Sequence, residues 1–161
     1  MADDILLRPA TASDRAWIVD RHQSHYSSAE GFDATFGPLV DDILGGFFAS
    51  HDAACERGWI AERDGERLGC IFCVRHDSCR AKLRLFYVDA SGRGAGLGRR
   101  LLGECMRFAR EAGYSGMTLW THESHRAACA LYASAGWRLT RSEPVHSFGV
   151  DLVEQSWEID L

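Results

Sequence analysis

Apolar residues recur at helical spacing between Leu97 and Ala112, in the clearest periodic segment of the chain. The stripe Leu97, Leu101, Cys105, Phe108 and Ala112 has spacings of four, four, three and four. Such spacing places all of these residues on one face of a helix. Charged residues fill the other faces, so the pattern predicts an amphipathic helix packed against a sheet. Gly113 follows and can provide a left-handed cap.

Shorter apolar segments on both sides of this helix predict strands. The expected strands are residues 5–8, 59–63, 67–75, 81–88, 117–121, 137–141 and 155–160. Asp64-Gly65-Glu66 is a strong hairpin signal between the second and third strands. The last two strands are predicted to be joined by a long connection that contains Pro144 and Gly149.

Three further helices are predicted by caps and apolar spacing. The first follows Thr11-Ala-Ser-Asp14 and runs to about His25, and the others cover residues 38–50 and 125–135. Residues 26–36 are predicted to form a loop or a broken helix. Hairpin strands followed by strand–helix–strand–helix–strand indicate an α/β fold with a mixed sheet.

Length and composition define the broad class of protein. With 161 residues, 46% apolar and 25% charged, the chain is expected to form a single globular domain over residues 1–161. No apolar run is long enough to span a membrane, and the acidic start lacks a signal core, so a cytoplasmic location and no membrane partner are expected. A net charge of −5 argues against nucleic acid as a partner.

The six cysteines are expected to be reduced thiols. Cys70 and Cys73 have metal-site spacing, but side chains three apart on a strand point to opposite faces. They are therefore predicted to be buried apolar residues, and no metal is expected.

A glycine-rich run, Arg93-Gly-Ala-Gly-Leu-Gly98, lies between the strand at 81–88 and the periodic helix. Backbone amides in such a turn can converge on an anion at the positive end of a helix dipole. The run lacks the Lys and hydroxyl of a P-loop, and its glycines do not match a dinucleotide fingerprint. A phosphate-bearing ligand is therefore predicted, and a glycine-rich turn without a ligand is the alternative.

Two motifs resemble the GNAT superfamily of N-acetyltransferases. Arg93-x-x-Gly96-x-Gly98 resembles the superfamily's acyl-CoA pyrophosphate loop. Downstream, Ala128, Leu131, Tyr132, Gly136 and Trp137 fall in register with its second cofactor motif. The two motifs and the elements between them cover residues 81–140. The resemblance implies a GNAT-like fold: a mixed, mostly antiparallel sheet flanked by helices, with splayed central strands.

The resemblance also implies how acetyl-CoA would bind as the co-substrate. The pantetheine arm would lie along Phe86, Tyr87 and Val88, and an amide of Phe86 or Val88 would polarise the acyl carbonyl. His125 stands where the superfamily commonly has Asn, and either contacts the cofactor or caps a helix. The residues implied for the pyrophosphate loop are Arg93, Gly94, Ala95, Gly96, Leu97, Gly98 and Arg99.

The implied reaction is transfer of an acetyl group to a primary amine by direct attack on the thioester. Tyr132 matches the tyrosine that protonates the leaving thiolate; the structural alternative is packing against the sheet. Lys82 stands where some relatives place a glutamate base, so a strand carboxylate is not expected. His122 and Glu30 are the candidate bases to test first, and deprotonation through water is the other route. A non-catalytic acyl-CoA sensor is the rival function.

The chain further resembles the acetyltransferase domain that bacteria fuse to MarR-like regulators. The resemblance rests on residues 59–66, 81–85 and 147–158, and the winged helix itself is absent from this sequence. The acceptor is expected to be a small-molecule or protein amine. A homodimer is compatible with the resemblance.

Overall fold

A computed structural model describes residues 4–161; the acidic residues 1–3, which contributed to the localisation prediction, lie outside them. The strands are β1 (Leu6–Pro9), β2 (Arg57–Arg63), β3 (Glu66–Arg75), β4 (Arg80–Val88), β5 (Gly116–His122), β6 (Arg138–Ser147) and β7 (Val150–Asp160). The helices are α1 (Arg15–Glu30), α2 (Phe36–Ser50), α3 (Leu97–Glu111) and α4 (Arg126–Ser134). Short 3-10 turns cover Ala12–Asp14 and Ala90–Gly92.

The chain divides into two compact units. The first contains residues 4–11, 51–118 and 159–161, and the second contains residues 12–50 and 119–158. Strand β5 begins in the first unit and ends in the second. The fold is α/β with a mixed, mostly antiparallel sheet, as the sequence predicted.

In the first unit the strands follow the order β1-β2-β3-β4, and each pair is antiparallel. The start of β5 runs parallel to β4, with Arg80–Lys82 opposite Gly116–Thr118. The parallel pairing of β4 with β5 covers these three residue pairs, although β4 continues to Val88. Leu85 has φ 53°, and the β3–β4 register shifts beside it, between Cys70 and Phe72. Strand β4 is therefore irregular directly before the glycine-rich run.

Helix α3 packs on β3 and β4 through the predicted apolar stripe. Leu97, Leu101, Cys105 and Phe108 are all buried, and each buried leucine contributes about 1.5–3 kcal/mol. Gly69 on β3 leaves room for the helix, because a Cβ there would lie 3.2 Å from Leu101 Cδ1. The helix ends one residue earlier than predicted, at Glu111.

Helices α1 and α2 pack together in the second unit, and the Arg15 guanidinium is 2.7 Å from the Asp41 carboxylate. The predicted end of α1 near His25 is wrong, because the helix continues to Glu30. Gly31, with φ 73°, then donates its N–H to Ser27 and Tyr26 carbonyls. This is a left-handed glycine cap, and it fixes where the helix ends.

The predicted long connection between the last two strands is also wrong. Strands β6 and β7 form a long antiparallel hairpin whose turn is Phe148-Gly149. Pro144 lies within β6, opposite Val153. Proline is tolerated on an edge strand, where its missing N–H would otherwise face away from the partner. Pro144 therefore does not interrupt the strand.

Phe148 in the hairpin turn contacts Phe32 and Asp33 in the loop before α2. Phe148 and Gly149 have φ values of 55° and 78°, as the tight two-residue turn of a hairpin requires. The Phe148 ring stacks on Phe32 with centroids 4.9 Å apart, and the Phe148 carbonyl accepts the Asp33 N–H at 2.8 Å. These contacts hold a non-glycine residue in a left-handed conformation.

None of the helices in residues 4–161 is long and apolar enough to cross a membrane. The same residues contain no group of three or more His, Cys, Asp or Glu able to hold a metal ion. Cys70 and Cys73 are buried thiols outside any disulfide, and the Cys70 thiol lies 3.1 Å from the Leu85 carbonyl oxygen.

Candidate functional site

The glycine-rich run forms a turn that leads directly into α3. Gly94 and Gly96 have φ values of 83° and 70°, and Gly96 is the N-cap of the helix. For residues other than glycine, this left-handed backbone conformation costs about 1–2 kcal/mol per residue. The two glycines therefore set the shape of the turn.

Six consecutive backbone amides in this turn have no hydrogen-bond partner within residues 4–161. They belong to Gly94 through Arg99, and the first helical hydrogen bond runs from the Arg100 N–H to the Gly96 carbonyl at 3.1 Å. Arg93 and Arg99 are exposed on the same turn. The positive end of the helix dipole adds to these charges, so the turn is built to bind an anion such as a pyrophosphate.

The strand before the turn presents residues 86–88, which the sequence placed along the cofactor arm. Tyr87 is buried and pairs with Cys70, and its hydroxyl donates to Asp89 at 2.7 Å. Asp89 also accepts from Ser91 at 2.8 Å, and its N–H donates to the Leu68 carbonyl. These bonds hold the short segment that connects β4 to the turn.

Tyr132 lies on α4, in the second unit. Its ring is buried, with centroids 5.7 Å from Trp137 and 6.1 Å from Trp157. The aromatic neighbours fix the orientation of the phenol.

Glu30, His122 and His125 come together in the second unit, although they are far apart in the sequence. His125 Nε2 is 2.6 Å from Glu30 Oε2. Ser124 donates to the same carboxylate. Thr121 Oγ1 is 3.1 Å from His125 Nδ1. The carboxylate of Glu30 therefore faces the start of α4.

His122 ends strand β5 next to this carboxylate. Its Nδ1 is buried and has no hydrogen-bond partner among residues 4–161. Its ring centroid is 5.4 Å from that of His125. A neutral imidazole nitrogen without a partner can accept a proton from an incoming group.

Burial lowers the pKa of both histidines, because a desolvated imidazolium is disfavoured. The Glu30 charge acts in the opposite direction and raises the pKa of His122 and of His125. Burial is the larger effect for both histidines, so their neutral forms, which can accept a proton, are favoured relative to an ordinary imidazole.

Aromatic rings surround this group of titratable residues. Tyr26 stacks on His125 at 4.8 Å, and Phe32 meets His122 edge-on at 5.9 Å. Phe36 and Phe148 extend the cluster, with centroids 4.9 Å apart. The rings make the surroundings of the imidazoles apolar.

Sequence reasoning missed Thr121, Ser124 and Phe148. Ser124 reaches a carboxylate 94 positions away, and no local signal connects them. Asp89 was also missed, although its place between a strand and a glycine-rich turn is a local signal.

The fold is α/β with a mixed sheet, and backbone amides at the start of α3 are unsatisfied within residues 4–161. This combination is typical of the class of proteins that bind phosphate-bearing ligands at a helix N-terminus. Residues 17–137 match the model of the acetyltransferase (GNAT) family. The chain belongs to that family.

Curated relatives with similar sequences are named as acetyltransferases. Human N-acetyltransferase 8 is 36% identical over 93 residues, which are 53% of this chain and 41% of the relative. Mycothiol acetyltransferase of Thermomonospora curvata is 34% identical over 98 residues, which are 61% of this chain and 30% of the relative. The chain thus spans less than half the length of these relatives.

Solved structures share the fold over nearly the whole chain. The yncA protein of Salmonella typhimurium, a candidate acetyltransferase solved with acetyl-CoA, has a TM-score of 0.79 at 21% identity, covering 98% of this chain and 94% of that chain. A GCN5-related N-acetyltransferase from Kribbella flavida has a TM-score of 0.77 at 22% identity, covering 100% of both chains. At these identities the likeness concerns the fold.

Proposed function

We propose that this protein, acting as a single N-acetyltransferase domain, transfers the acetyl group of acetyl-CoA to a primary amine. The observation that carries this proposal is the run of unsatisfied amides from Gly94 to Arg99 at the start of α3. Membership of the acetyltransferase family supports acetyl-CoA as the ligand. The amides and the side chains of Arg93 and Arg99 would hold the pyrophosphate, and residues 86–88 would bind the pantetheine arm.

The chemistry follows from the residues assigned to each end of the reaction. The amine nitrogen attacks the thioester carbonyl carbon, an amide of β4 at Phe86 or Val88 stabilises the oxyanion, and the carbon–sulfur bond breaks. Tyr132 gives its phenolic proton to the departing thiolate. The proton lost by the amine goes to the imidazole of His122, directly or through one water.

Glu30 and His125 are assigned to positioning. Both nitrogens of the His125 ring face protein atoms, of Thr121 and Glu30. This supports a role in holding Glu30 beside His122 in place of the cofactor contact that the sequence suggested. The charge of Glu30 then raises the pKa of the His122 base against the larger, opposite effect of burial.

The experiment that tests the proposal measures thiol release from acetyl-CoA across a panel of primary amines. Wild type is expected to turn over at least one amine, and Tyr132→Phe to do so much more slowly with acetyl-CoA binding retained. An acyl-CoA sensor would gain thermal stability from coenzyme A but turn over none of the amines. If millimolar coenzyme A leaves Tm unchanged, the cofactor assignment is wrong.

We further infer that the protein is bacterial and cytoplasmic, and that it is related to the acetyltransferase domain fused to MarR-like regulators. Its acceptor is a small-molecule or protein amine, and nucleic acid is not a partner. The resemblances in residues 59–66 and 147–158 support the relationship. Light scattering after gel filtration tests whether it forms a homodimer.

A further inference from the structure

Arg84 on strand β4 carries a half-buried guanidinium. Within the described part of the chain, residues 4–161, it has no hydrogen bond, ion pair or ring contact. Burial lowers its pKa, and no carboxylate among residues 4–161 opposes that effect. The charge is thus partly removed from water without a compensating partner, which is costly.

Three other arginines of the same unit are compensated. Arg80, on the same strand, is 2.9 Å from the Asp77 carboxylate. Arg8 is 3.0 Å from Glu62, and the Arg57 guanidinium lies 4.6 Å from the centroid of the Phe108 ring. Arg84 therefore differs from its neighbours in lacking a protein partner, and an anion from outside the chain would complete its hydrogen bonding.

Arg84 lies close to where the acyl group is proposed to bind. It pairs with Phe72 in the β3–β4 register and directly precedes Leu85, where the strand becomes irregular. Phe86, whose amide is a candidate to polarise the acyl carbonyl, is two residues further along the same strand. A group held by Arg84 would therefore lie on the same segment of β4 as the proposed acyl site.

We propose that Arg84 binds the carboxylate of the acceptor, so that the substrate class is amines that carry a carboxylate near the amino group, as free amino acids do. A guanidinium presents paired N–H donors that match the two oxygens of a carboxylate. This inference rests on the proposed function, because it names the acceptor of the same reaction.

The test compares pairs of amines that differ only in the carboxylate, such as phenylalanine with phenethylamine and methionine with 3-methylthiopropylamine. Wild type is expected to prefer the amino acid of each pair. Arg84→Met should raise the KM of the amino acids about 10- to 100-fold, the usual effect of losing a charged hydrogen bond, and leave the decarboxylated amines nearly unchanged. Arg84→Lys should recover part of the preference.

Arg110→Met is the matched control, because Arg110 is an exposed arginine on α3, and it should retain the wild-type preference. Arg84→Glu should shift preference towards diamines. Equal effects of Arg84→Met on both members of a pair, or none on either, would overturn the proposal.

A second readout separates this inference from the proposed function. Binding of each amine to the coenzyme A complex can be followed by thermal shift or calorimetry without turnover. If no amine is turned over, that result would count against acetyl transfer but not against the assignment of Arg84. Loss of amino-acid binding in Arg84→Met would still support the assignment of Arg84, and unchanged binding would overturn it.

Discussion

Glu30 Oε2 lies 2.6 Å from His125 Nε2, so the last residue of α1 meets the residue that precedes α4. Both side chains are largely shielded from solvent, at 12% and 17% exposed. A carboxylate in such surroundings acts strongly on nearby imidazoles. It raises the pKa of His122 and His125 against the effect of their burial.

Replacing Glu30 with Gln should move the acid-side limb of the kcat/KM profile to lower pH. The carboxylate raises the pKa of His122, so its removal lets the base stay neutral to a lower pH. His122→Gln should instead remove that limb and lower kcat by about 10²- to 10⁴-fold, the usual contribution of a general base. The measurement is kcat/KM from pH 5 to pH 9 with one amine.

Glu123→Gln is the control for this pair, since Glu123 is an exposed carboxylate on the same connection. Glu123→Gln should leave the acid-side limb of the kcat/KM profile at the wild-type pH. If the acid-side limb is unchanged in both Glu30→Gln and His122→Gln, the limb belongs to the amine substrate. His122 would then be excluded as the base.

Tyr132→Phe should lower kcat by about 10²-fold or more while the KM for acetyl-CoA changes little, because the phenol acts on the leaving thiolate. Tyr114 provides a comparison, since it is also buried and its hydroxyl donates to the Cys55 carbonyl at 2.8 Å. Tyr114→Phe should cost about 1 kcal/mol of stability from the lost hydrogen bond and leave kcat unchanged. Equal kcat in wild type and Tyr132→Phe would reduce Tyr132 to a packing residue.

Gly96→Ala should weaken acetyl-CoA binding. An L residue at φ 70° is strained by about 1–2 kcal/mol, and relief of that strain moves the amides of the turn. No atom of the described residues lies within 4 Å of the added Cβ, so the effect is conformational and not a clash. The measurement is the rise in Tm on titration with coenzyme A.

Gly103→Ala serves as the opposite case, because Gly103 lies inside α3 and its added Cβ also meets no atom of residues 4–161 within 4 Å. It should stabilise the protein by about 0.5–1 kcal/mol, since alanine favours a helix more than glycine does. A full ligand-induced shift in Gly96→Ala would exclude the turn as the anion site.

His22 should make the protein less stable as the pH falls from about 6.5 to about 4. The side chain is buried, and burial lowers its pKa to about 4. Above pH 6.5 the imidazole is neutral in both the folded and the unfolded chain. Below that pH only the unfolded chain gains the proton, so about 3 kcal/mol of folding free energy is lost by pH 4.

Urea denaturation of wild type and His22→Gln at pH 7.5, 5.5 and 4.5 measures this loss. The variant should be less stable at pH 7.5, since His22 Nδ1 lies 2.8 Å from the Ile18 carbonyl oxygen. The difference between the two proteins should shrink as the pH falls. A constant difference would show that His22 does not carry the effect.

Local patterns in the sequence were enough to predict α3, the glycine-rich turn and the β2–β3 hairpin, because each depends on neighbouring residues. The β6–β7 hairpin was missed because Pro144 and a polar, exposed strand resemble a loop when tertiary pairing is unknown. The meeting of Glu30 with His125 could not be predicted at all. It depends on how far α1 extends and on where α4 begins, and both are fixed by packing.

The turn at Phe148 has a consequence for sequence change in this protein and its relatives. Asparagine or glycine would relax the backbone at this position, yet either would remove the ring that covers Phe32. A substitution at one of the two positions is therefore tolerated best with a compensating change at the other. Residues 32 and 148 should covary during evolution, although they share no local sequence pattern.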